Sequence, residues 1–168
     1  MVIKEGTCLW DAAAVGNFTT YGKHTNSAAC TPETLIGQLR AGRAPPVDPI
    51  SFGEQLRKAV TDGTASFTAA ADLDFVINQY EIGFKAAFAT FHSPWLSYLG
   101  LNWGDAEGEI LLKTLEYVAA NVTMNKSAGL NCVKGNQLSK DMLNKLKVFM
   151  DKNPQHFFYN GVPAWNTV

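Results

Sequence analysis

Between about Phe67 and Phe91 the chain places Leu73, Ile77, Tyr80, Phe84, Phe88 and Phe91 at spacings of three and four. That rhythm is the signature of one helix face. Val76, Ile82 and several alanines widen the stripe until little of the circumference is polar, so the spacing predicts a helix over 67–91 at the centre of its fold. Each large apolar side chain of this kind contributes about 1.5 to 3 kcal/mol when fully buried. No other segment offers the core more.

The flanking signals supply helices to pack around it. Thr31, Pro32 and Glu33 combine an N-cap residue, a proline for the first helical position and an acid for the first turn, which predicts a helix to about Arg40. Pro45, Pro46 and Pro49 then impose an extended connector over 44–50, because each proline also disfavours helix in the residue before it. Ser51 and Glu54 read as a capping box for a helix to about Asp62, where Gly63 stops it. Ser93, Pro94 and Trp95 break the central helix and open a short turn through Leu101.

Asp105, Glu107 and Glu109 precede Leu111, Leu115, Val118 and Val122, acids at the positive end of a helix dipole followed by an amphipathic run. A last helix starts near Leu138 with Ser139 as cap, carries Leu143, Leu146, Phe149 and Met150 on one face, and ends at Asn153 and Pro154. The expected fold is therefore mainly α. About five helices form a single domain over 1–168 around the central one, with residues 1–30 irregular and an aromatic tail, His156 to Val168, lying back on the body as an irregular or short extended segment. No internal repeat, phosphate-binding glycine loop or run of alternating strands interrupts this pattern.

At 168 residues a chain buries roughly two-thirds of the surface its unfolded form exposes, so neither metal nor disulfide is needed for folding. No stretch approaches the roughly 20 apolar residues of a membrane span. Glu5 and Asp11 stand where a signal peptide would be apolar. The expectation is a soluble protein, either cytoplasmic or a secreted form whose leader has been removed.

The net charge of −1 conceals an asymmetry, since from Lys126 onward six lysines face only Asp141 and Asp151. Lys140, Lys145, Lys147 and Lys152 fall on the last helix and Trp165 follows in the tail, together a candidate face for docking an acidic protein. Lysines without arginine or interleaved aromatics do not read as a nucleic-acid surface.

Three cysteines, Cys8, Cys30 and Cys132, leave one thiol over if two pair. Cys8, within Gly6-Thr7-Cys8-Leu9-Trp10 and ahead of an alanine-rich stretch, loosely resembles the nucleophile segment of papain-like hydrolases. A helix amino terminus would favour its thiolate, and His156 is then the candidate base. Cysteines and histidines do not cluster at zinc spacing, and no cofactor is expected. The aromatic stripe around Phe84 and Phe88 suits core packing, with the lining of a pocket for an apolar ligand as the alternative.

Cys132-Val133, Gly135, Leu138-Ser139, Leu143, Leu146, Phe149-Met150 and Asn153-Pro154 resemble the closing motif of small helical immunity proteins paired with type VI secretion amidases. Tyr80-Glu81-Ile82-Gly83 is similar to an upstream helix of that family. The likeness covers about a quarter of the chain, without a cysteine near Tyr80 to pair with Cys132. It implies a helical protein that works by binding a partner. The same class follows from the residues alone: a non-enzymatic interaction protein, binding another protein or itself, with the cysteine hydrolase and the apolar carrier as alternatives.

Overall fold

The structure is a computed structural model and describes residues 44–67, 69–91 and 94–158. The expected helix over 31–40 lies outside those residues. Mainly helical architecture holds among the described residues, with four helices where about five were expected for the whole chain.

The chain enters through Pro45, Pro46 and Val47, buried and without regular structure. Carbonyls buried in such a segment need donors from elsewhere. Thr114 Oγ1 donates to the Pro46 carbonyl and Tyr80 Oη to that of Val47, both at 2.6 Å. Helix α1 follows at Pro49–Thr61. It does not start from the capping box expected at Ser51 and Glu54. Asp48 is the cap, accepting from Ser51 N at 2.9 Å, and Pro49 takes the first helical position, where its missing N–H costs nothing.

Helix α2, Ala70–Ala89, is the central helix, shorter than 67–91 by three residues at one end and two at the other. Asp72 accepts from Ala69 N at 3.1 Å at its start. Val76, Tyr80, Phe84, Ala87 and Phe88 are buried along one face. Phe52 of α1 stacks on Tyr80 with ring centroids 3.7 Å apart, which fixes α1 against α2.

After α2 the chain alternates strand and helix: β1 (Trp95–Ser97), α3 (Asp105–Asn121), β2 (Ala128–Asn131), α4 (Lys140–Lys152) and β3 (Phe157–Phe158). The strands form one parallel sheet in the order β1-β2-β3. This sheet was not expected from the sequence. The turn predicted over 95–101 contains β1, and the tail begins with β3. Parallel neighbours require crossovers, which α3 and α4 supply, and successive crossovers of one hand place both helices on the same face. The two helices do pack against each other.

Two glycines allow the close approaches. A Cβ on Gly108 of α3 would stand 2.6 Å from Cγ of Met142 in α4, and one on Gly129 of β2 would stand 2.4 Å from the Trp95 ring. Trp95 and Phe158 meet edge to face, 5.5 Å apart, from the strands on either side of Gly129. On the other face Leu96, Ala128 and Phe157 are fully buried and join the side chains of α2, α3 and α4 in one core.

Candidate functional site

A helix advances about 100° per residue, so α2 can be read as a wheel. The buried residues Val76, Tyr80, Phe84, Ala87 and Phe88 centre on one line. Phe75 and Ile82 lie within about 20° of each other and about 160° from that line. They are the most solvent-open large apolar side chains of the helix, 63% and 54% exposed. Ala71, Asn78 and Ala86 are exposed on the same side and Gln79 is half-buried. No charged residue falls inside this stripe. Asp74 and Lys85 border it, Asp74 bonded to Arg57 at 3.1 Å and Lys85 to Glu81 at 2.7 Å.

Ile82 was expected to widen the buried stripe and instead belongs to the opposite side. Phase decides this: Ile82 follows Tyr80 by two positions, about 200° around the helix. Phe75 precedes Tyr80 by five and was not singled out by its spacing. The same phase would have exposed both residues in the sequence.

The four lysines of α4 do not form one patch. Lys140 and Lys147 share one line and Lys145 and Lys152 another, about 140° away, with Asn144 and Val148 exposed between them. Lys145 pairs with Glu109 of α3 and Lys147 with Asp151 at 2.5 Å. Trp165 lies outside the described residues. Each member of the acidic trio at the start of α3 has a structural partner. Glu107 accepts from Gly104 N at 2.9 Å, Asp105 from Ser139 N at 2.7 Å, and Glu109 holds Lys145. The Ser139 amide is the main reason that the Asp105 carboxyl titrates below its ordinary range.

Cys8 and Cys30 lie outside the described residues. Cys132 follows β2 and is a buried free thiol. Burial pushes its pKa up to about 12, so at neutral pH it is protonated and a poor nucleophile. Tyr98, at the same edge of the sheet, is fully buried, and its Oη has no hydrogen-bond partner. Asn136 closes that edge: its Oδ1 accepts from Leu101 N and Trp103 N, and its Nδ2 donates to the carbonyls of Tyr98 and Cys132.

His156 belongs to the opposite edge. Its carbonyl accepts from Ala128 N, four residues from Cys132, so roughly 13 Å of strand separates the two. Its Nε2 lies 3.0 Å from the Val122 carbonyl and therefore carries the proton there, which leaves Nδ1 buried without a partner. Thus the histidine expected as a base joins the end of α3 to β3. Phe84 and Phe88 pack on each other at 4.9 Å and Phe84 on Tyr117 at 5.6 Å, inside the core. Among the described residues no three His, Cys, Asp or Glu side chains group as metal ligands, and no helix is long and apolar enough to cross a membrane.

Comparison with known protein families, with curated proteins and with solved structures finds no match.

Proposed function

We propose that the protein acts by binding another protein chain, through the uncharged stripe of α2 marked by Phe75 and Ile82. The exposure of these two residues on one line carries this reading. A helix that serves only the core turns polar and charged residues to water, whereas large apolar residues on an exposed ridge, with a charged border, suit the core and rim of a protein contact. The resemblance of the 132–154 stretch to immunity proteins, which pair with an effector, supports the same class. For a second, basic contact with an acidic partner the candidates are one lysine line of α4 at a time, Lys140 with Lys147 or Lys145 with Lys152, together with Trp165.

The test is a photo-crosslinking side chain at position 75, compared with the same group at exposed Glu116 of α3. Irradiation in the native source should give discrete adducts of higher mass from position 75 and none in common with position 116. If position 75 yields no adduct beyond those of the control, the stripe is not a contact surface and the reading falls.

A further inference from the structure

The stripe has a symmetry that identifies its partner. Along α2 its exposed apolar members stand at Ala71, Phe75, Ile82 and Ala86, with half-buried Ala89 beyond them packed on the core, and the intervals between those four read the same from either end about a midpoint between Asn78 and Gln79. A surface that is palindromic along a helix is self-complementary under a two-fold axis through that midpoint. We propose that a second copy of this chain docks on it, with the two α2 helices antiparallel; this rests on the stripe being the contact surface. Phe75 of each copy then lies against Ile82 of the other, and the small Ala71 against Ala86, which lets the helix ends approach.

The charges on the border agree. Asp74 and Lys85 lie on the same side of the stripe, within about 20° of each other around the helix. Antiparallel packing about a two-fold axis brings like sides together. Lys85 of one copy then falls about 3 Å along the axis from Asp74 of the second copy, so each cation gains a carboxylate across the contact. With Arg57 and Glu81 counted, two cations and two carboxylates line that border in each copy, and it carries no net charge to repel its mate. A parallel two-fold pairing would instead place this border on opposite sides of the contact in the two copies, away from its mate.

The size of the ridge sets the strength. Twenty residues of helix give a contact about 30 Å long and about 10 Å wide, smaller than the roughly 800 Å² per partner of a standard stable interface. The dimer is therefore a weak one that fills as concentration rises.

Light scattering on the full chain over a concentration series should show the mass climbing from 18.3 kDa toward twice that value. Phe75→Glu should hold it at the monomer, since two charges would be buried against apolar side chains. Orientation is tested by disulfide trapping, scored against the parent chain oxidised alongside. An equal mixture of Ala71→Cys and Ala86→Cys should give a linked dimer that neither variant gives alone, because the ends of one helix face are about 22 Å apart. A mass of 18.3 kDa at every concentration overturns self-pairing. Crosslinking of Ala71→Cys with itself overturns the antiparallel arrangement. If the mass never rises while position 75 still photo-crosslinks to a different protein, self-pairing fails and the binding reading stands.

Discussion

Cys132 shows how far burial alone can set the chemistry of a residue. The thiol ordinarily titrates near 9.0, and burial raises that to about 12, with Tyr98 beside it raised in the same direction and by the same cause. A pKa higher in the folded than in the unfolded chain means that the unfolded chain loses its proton first as pH rises. The contribution to stability is therefore complete below about pH 9 and falls away toward about pH 12, by up to about 1.4 kcal/mol per pH unit. Urea midpoints measured between about pH 8 and pH 11 should decline for the parent chain and decline less steeply for Cys132→Ala. Equal slopes would assign the alkaline loss to other groups.

Capping separates what the sequence specifies from what it only permits at the level of elements. Asp48 and Ser51 are both good caps, but only Asp48 precedes a proline able to occupy the first helical position. Asp48→Ala should cost about 1 kcal/mol, and Ser51→Ala less than about 0.5 kcal/mol; thermal or urea unfolding of the two variants checks the order. Helices α2, α3 and α4 were legible because each is long enough to repeat its apolar period and carries an acid or a serine at its start. The sheet was not, because β1, β2 and β3 span only three, four and two residues, too few for alternation to register. Gly129, a residue poor in strands, occupies β2 because Trp95 and Phe158 need the space above it. Half of the candidate site was legible in the same limited way. Ile82 reads as apolar, but the sequence alone draws it into the core, since periodicity marks the dominant face and leaves residues on the other side to be absorbed into it.

In the whole molecule, α2 has two faces with different tasks. One holds Tyr80 against Phe52 of α1 and Phe84 against Tyr117 of α3; the other leaves Phe75 and Ile82 exposed, the face proposed above for a partner. Removing a fully buried phenylalanine costs about 3 to 5 kcal/mol, a large share of a typical net stability of about 5 to 15 kcal/mol. The most direct test of this division is urea unfolding of Phe84→Ala beside Phe75→Ala, at a concentration low enough to keep both monomeric. Phe84→Ala should lose about 3 to 5 kcal/mol and Phe75→Ala less than about 1 kcal/mol, as exposed substitutions do. Equal losses from the two, or a Phe84→Ala midpoint matching the parent chain, would contradict the assignment of the core to one face of α2 and of exposure to the other.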